Sequence, residues 1–139
     1  MKKILKVTLA ATVAFSLSSF LNASEVSKLD VKKTCDVKAN GIKNVIATAD
    51  KYNAMAKKQG LEFMRLGMKT SQYISGVNSA LKTGSKTVDI LNKKKKKTGT
   101  VTVDYAAWRA CSFAIRALQQ NEEAKTAWSL AVPGDGYKY

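Results

Sequence analysis

The sequence predicts a mainly α-helical fold: a small domain of three main helices with a short β-hairpin and a C-terminal helical segment. Three observations carry that reading. Apolar residues recur at three–four spacing over three long stretches, as one face of an α-helix requires. Two short, alternating, β-branched runs, at 87–91 and 100–103, flank a lysine-rich stretch in the manner of a hairpin. Two cysteines, Cys35 and Cys111, stand one before the first helix and one inside the most apolar one.

That most apolar stretch spans 104–120. Trp108, Cys111, Ile115 and Leu118 share one helical face, and Ala107, Ala110, Phe113, Ala114 and Ala117 widen it. Only Tyr105, Arg109, Ser112 and Arg116 form a polar wedge. A helix so apolar is expected to be surrounded by other elements. Thr102 or Asp104 is its expected N-cap. Asn121-Glu122-Glu123 has the acidic first turn of a new helix, with Ala124, Ala127, Trp128 and Ala131 as a last apolar face. The alternative is one helix running straight through to Leu130. Pro133-Gly134-Asp135-Gly136 ends it. The Tyr137-Lys138-Tyr139 tail is expected to cover the core helix near Trp108, or else to present a recognition end.

The chain begins with Met1-Lys2-Lys3-Ile4-Leu5-Lys6, then an apolar run from Val7 to Leu17, then small residues with Leu21 and Ala23 where a signal peptidase reads. This order predicts a signal peptide at 1–23 and a single domain at 24–139. The apolar run is short for a membrane span, so no stable membrane insertion is expected after cleavage. The location is then periplasmic or secreted. Residues 24–34 are expected as a loose lead-in or one helical turn.

Residues 36–58 form the first amphipathic helix, with Ile42, Val45, Ile46, Ala49, Tyr52 and Ala56 on one face. Gly41 weakens its first turns and is an alternative point for its true start, and Gly60 caps its end. Residues 61–82 form the second, through Phe63, Leu66, Thr70, Tyr73, Val77 and Ala80, reinforced by Ile74 and Leu81. A further stripe of Leu61, Met64 and Met68 predicts burial on two sides at its N-terminal end. The hairpin follows, with a loop at 92–99 that carries Lys93, Lys94, Lys95, Lys96 and Lys97. A helix across 87–97 is the weaker alternative.

The 139 residues carry 24 Lys and Arg against 10 Asp and Glu, a net charge of +14. The expected mature chain loses three lysines and stands at 21 against 10, or +11. Such a field favours anionic partners: acidic glycans, lipid head groups, nucleic acid or an acidic protein. In an oxidising compartment two cysteines are expected to pair. A Cys35–Cys111 bridge closes a loop of about 75 residues, for which chain entropy gives about 4.5 kcal/mol.

Catalytic chemistry has little to work with. There is no histidine, so the commonest general base and metal ligand are missing. With both thiols bridged, no nucleophilic cysteine remains. No phosphate-cradling glycine loop or oxygen-rich calcium loop is present. Ser79-Ala80-Leu81-Lys82 has the serine–lysine spacing of penicillin-interacting enzymes, and Lys82-Thr83-Gly84 resembles their third motif. The two motifs share Lys82 here, and the chain is too short for that fold. The sequence therefore predicts no enzyme activity, no cofactor and no metal.

The five lysines are the candidate anion-binding residues, with Arg109 and Arg116 as a second basic site if they face outward. The run lacks aromatics to stack bases and arginines for bidentate phosphate contacts. Its attraction should be salt-sensitive, and its loop solvated and mobile. The expected function is an exported, non-enzymatic binding protein of the cell envelope with an anionic partner. The alternative is a structural or inhibitory protein that binds another exported protein.

Overall fold

Residues 23–131 are described by a computed structural model of the chain. They form, in order, α1 (Ala23–Ser27), α2 (Val31–Thr34), α3 (Val37–Asn40), α4 (Ile42–Lys58), β1 (Met64–Arg65), β2 (Met68–Lys69), α5 (Thr70–Thr83), β3 (Thr87–Leu91), β4 (Lys97–Thr102) and α6 (Val103–Ala131). The fold is mainly helical, with a short hairpin and a Cys35–Cys111 disulfide, as the sequence predicts. The expected leader up to residue 22 and the tail from residue 132 lie outside the described residues.

Helix α6 is the centre. Ala106, Ala107, Ala110, Cys111, Ala114, Ile115, Ala117 and Leu118 are buried along it. Alanines at these positions let α4 and α5 approach its backbone closely. Trp108 is a correction: it is 41% exposed rather than buried. The buried face is centred on the alanines, and one residue of helix turns Trp108 about 100° away from Ala107. Ser112, expected in the polar wedge, is buried instead. The helix also continues through residues 121–123 without a new start. No Gly or Pro interrupts it, and just past that point Lys125 Nζ pairs with Glu122 Oε1 at 2.7 Å. Ala124 and Ala127 are exposed, so they form no buried final face. Thr102 is the N-cap, its hydroxyl accepting from the Tyr105 N–H at 3.3 Å.

The first predicted helix divides at Gly41. Its φ of 77° and ψ of 143° belong to glycine and to no helix. Before it lie α3, within the predicted helix, and the two short helices α1 and α2, where a loose lead-in or one helical turn was expected. Asp30 caps α2 by accepting from Lys33 N at 3.1 Å. Asp36 caps α3 by accepting from Lys38 N at 2.9 Å and Ala39 N at 3.2 Å. After Gly41, α4 buries Val45, Ile46, Ala49, Tyr52 and Ala56, the predicted face.

The second predicted helix begins only at Thr70. Residues 64–69 form a tight hairpin, with Arg65 opposite Met68 and Met64 opposite Lys69. The expected burial of that end on two sides fails in part: Met68 is fully buried, but Met64 is 50% exposed. From Thr70 onward the predicted face holds through Tyr73, Ile74, Val77 and Ala80, which are buried, while Leu81 at its end is exposed.

Strands β3 and β4 pair antiparallel from Thr87 opposite Thr102 to Leu91 opposite Lys97. Lys97 therefore belongs to the strand, and the loop shortens to 92–96. The hairpin seats on α5 where Val88 lies over Gly76. A Cβ at Gly76 would come within 2.5 Å of Val88 Cγ1.

Cys35 and Cys111 are both fully buried, with Cα atoms 5.6 Å apart. Gln119 adds a second tie: its Nε2 donates to the carbonyls of Val26 at 3.0 Å and Leu29 at 2.9 Å. Replacing both cysteines by alanine should lower unfolding free energy by roughly 2–5 kcal/mol. Urea titration of the two proteins measures this, and a midpoint unchanged by the substitutions contradicts it.

Candidate functional site

The site is built where two hairpins meet at one end of α5. The first is held by the start of that helix. The Thr70 N–H and hydroxyl both reach the Phe63 carbonyl at 3.0 Å. The Lys69 N–H donates to Gln72 Oε1 at 2.7 Å, half of a capping box. Lysine has no acceptor to return. Glu62 supplies one from outside the helix: its Oε1 accepts from Ser71 N at 3.0 Å and from Asn53 Nδ2 at 3.2 Å. Burial pushes the Glu62 carboxyl up. The hydrogen bonds from Ser71 and Asn53, with the Lys57 charge, outweigh it and hold the carboxyl below its ordinary value.

This frame fixes a two-residue turn, Leu66-Gly67. Both residues have positive φ, 54° and 88°, the signature of a type I′ hairpin turn. Gly67 suits it. Leu66 stands where Asn, Asp or Gly is the usual choice, and its side chain is 81% exposed.

The second hairpin tip is the lysine loop. Asn92 organises it. Its Oδ1 accepts from Lys94 N at 2.9 Å and Lys96 N at 3.0 Å. Its backbone N–H donates to the Lys96 carbonyl, and its carbonyl accepts from Lys95 N, both at 2.9 Å. The lysines are exposed, as expected for a like-charged run, but they sit on a defined turn.

The two tips touch at Gly67. A Cβ there would lie 2.5 Å from Lys93 N and 2.8 Å from Lys93 Cγ. Only glycine allows this approach, and it places Met64 and Leu66 beside Asn92, Lys93 and Lys94 around a shallow depression. An adjoining depression adds Lys69, Gln72 and Lys95. Residues 63–70 and 92–97 contain six lysines and one arginine and no acid. Lys97 Nζ is bound to Asp89 Oδ1 at 2.7 Å across the strands. Lys93, Lys94, Lys95 and Lys96 have no ion-pair partner among the described residues.

The other predicted basic residues do not join this tip. Arg109 is half-buried, its guanidinium 5.0 Å from the Phe113 ring centre, 5.4 Å from that of Tyr105 and 5.8 Å from that of Tyr73. Its Nη1 donates to the Tyr105 hydroxyl. That cation is engaged by aromatic faces, so the outward-facing pair with Arg116 does not form. Arg116 alone is exposed. Ser79 lines a groove of about 500 Å³ between α5 and β3, together with Ser75, Thr83 and Thr87. Lys82 is not among its walls. Among the described residues no group of three or more His, Cys, Asp or Glu side chains could hold a metal ion.

Sequence reasoning missed Leu66, Gly67, Lys69 and Asn92 as parts of one site. The available signal was local: a glycine inside a supposed helix and an asparagine heading a lysine run. Comparison with protein-family models, curated proteins and solved structures finds no match to this chain.

Two outcomes follow from this geometry. Gly67→Ala should separate the tips and destabilise the fold by roughly 1–3 kcal/mol, from strain at positive φ and overpacking on Lys93; a melting temperature equal to wild type contradicts this. Glu62→Gln should cost about 0.5 kcal/mol near neutral pH, after allowance for screening at a partly exposed site. The folded-state value of Glu62 is lowered, so its contribution is present above the unfolded value and lost as pH falls through the folded one. Chemical denaturation across the acid range should therefore show the two proteins converging as pH drops.

Proposed function

We propose that the chain is an exported, non-enzymatic binding protein of the cell envelope, and that its lysine-rich hairpin engages an anionic partner. One observation supports this above the others. Four lysines without ion-pair partners among the described residues, Lys93, Lys94, Lys95 and Lys96, are held on an Asn92-anchored turn beside Lys69, with no acid in either tip. A run tolerated only because it is solvated needs no such anchor. Held together, the ammonium groups raise the local potential and concentrate anions there. Lysines act as point charges, so the attraction is broad in specificity and falls with salt.

Export is supported by the basic, apolar, small-residue order of residues 1–23 and by a buried disulfide of the kind that persists in oxidising compartments.

A second reading has its own observation. Tyr105 and Trp108 are both partly exposed on α6, their ring centres 5.6 Å apart. They border a cavity with Val37, Lys38 and Asp104. An exposed aromatic pair on a rigid helix is the kind of anchor that protein interfaces use. A structural or inhibitory role toward another exported protein would use that surface.

Changing Lys93, Lys94, Lys95 and Lys96 together to Gln separates the two. Each lysine near an anionic surface contributes about 1 kcal/mol, so affinity for heparin at low salt should fall at least about tenfold. Retention equal to wild type refutes the lysine-loop reading. A co-purifying protein lost in Trp108→Ala and kept in the lysine variant supports the second.

A further inference from the structure

Leu66 is placed against its own stability. It occupies the first central position of a type I′ turn with φ of 54°. A side chain that cannot bond to the backbone is strained there, and Asn, Asp or Gly relieves the strain. Packing gives nothing back, because 81% of Leu66 is exposed, more than any other exposed large hydrophobic residue among those described. Met64, half-exposed on the same hairpin, extends the apolar surface. Strain and hydrated apolar area together at one residue suggest an occupant that covers it.

The surroundings define that occupant. Arg65 and Lys69 flank the turn in sequence, and Lys93, Lys94 and Lys95 border the depressions beside it. Gly67 fixes the apolar tip to the lysine loop as one unit. An exposed leucine beside a cluster of cations matches the interface of an anionic bilayer. The ammonium groups lie at the level of the phosphates, and the leucine enters the boundary with the acyl chains. A glycan or polynucleotide would use the lysines and leave Leu66 in water.

We propose that the double-hairpin tip is a peripheral docking site for anionic lipid bilayers, with Leu66 and Met64 entering the interface and Lys69, Lys93, Lys94, Lys95 and Lys96 binding lipid phosphates. This rests on the anion-binding reading of the lysine loop and adds the bilayer as the source of the anion.

The test uses the protein purified from its host after natural processing, with Leu66→Asn and Leu66→Phe variants. Sedimentation is measured with equimolar phosphatidylcholine–phosphatidylglycerol vesicles and with pure phosphatidylcholine vesicles, and retention is measured on heparin. Wild type should bind the mixed vesicles and not the neutral ones. Leu66→Asn should weaken vesicle binding by about tenfold, keep heparin retention, and melt a few degrees higher because the turn is relieved. Leu66→Phe should keep vesicle binding. Vesicle affinity unchanged in Leu66→Asn overturns the proposal. So does an equal loss on heparin, because Leu66 would then act only by shaping the loop. Wild type that binds heparin but no vesicle overturns the bilayer and leaves the anion-binding reading standing. Wild type that binds neither overturns both.

Discussion

The covalent link between Cys35 and Cys111 sets what the rest of the chain can do. Helices α1, α2 and α3 have five, four and four residues. Helices so short do not persist alone in water, because nucleation costs more than a single turn returns. Here they need not form alone. Cys35 follows α2 directly and is tied to the third turn of α6, so the segment is held beside the surface it covers. Asp30 and Asp36 cap the two helices that flank the bridge. Gln119 holds the end of α1 about two turns further along α6. The crosslink makes these weak local contacts intramolecular, and they close one side of the core.

From α6 the order passes outward through close approaches. Alanines along its buried face admit α4 and α5. Val103 N donates to the Lys86 carbonyl at 3.1 Å, which joins the start of α6 to the base of the β3–β4 hairpin. Gly76 admits Val88 and sets the hairpin on α5. Gly67 admits Lys93 and sets one tip on the other. Each junction needs a small residue on one side. A lysine loop mounted in this way has limited freedom to spread under its own repulsion, so its charge stays concentrated.

The legible parts of the fold were those with a strong period. The faces of α4, α5 and α6 follow the three–four spacing of Val45 to Ala56, Tyr73 to Ala80 and Ala107 to Leu118. The hairpin follows its β-branched alternation, and the disulfide follows from an even cysteine count. The errors lie where periodicity is blind to a local backbone choice. Leu61, Met64 and Met68 have helical spacing, yet Gly67 at φ of 88° turns the chain back. Gly41, offered by the sequence as an alternative start of the first helix, does separate α3 from α4. Trp108 was misplaced because a large apolar residue at the rim of a face fits the same pattern as one at its centre. The site was half legible. The lysine run is visible in sequence, but its junction with Leu66 is a contact between hairpins with no periodic trace.

Charge alone would have given a wrong map of this protein. Arg109 and Lys97 are cations by sequence, yet one is enclosed by three aromatic rings and the other is paired with Asp89. Their charges are answered within the fold. Lys93, Lys94, Lys95 and Lys96 are different, since their repulsion has no internal answer among the described residues and is maintained by the Asn92 turn. Leu66 adds strain and apolar exposure at the same place. Elsewhere the short helices are capped, the strands alternate and alanines line the face where helices meet, although Asn53 Oδ1, Arg109 Nε and Ser112 Oγ are buried without a hydrogen-bond partner. Departures of different physical kinds, electrostatic, conformational and hydrophobic, coincide at one tip. A single defect can be drift. Three that share one location and would be relieved by one kind of contact are the physical basis of the docking proposed there.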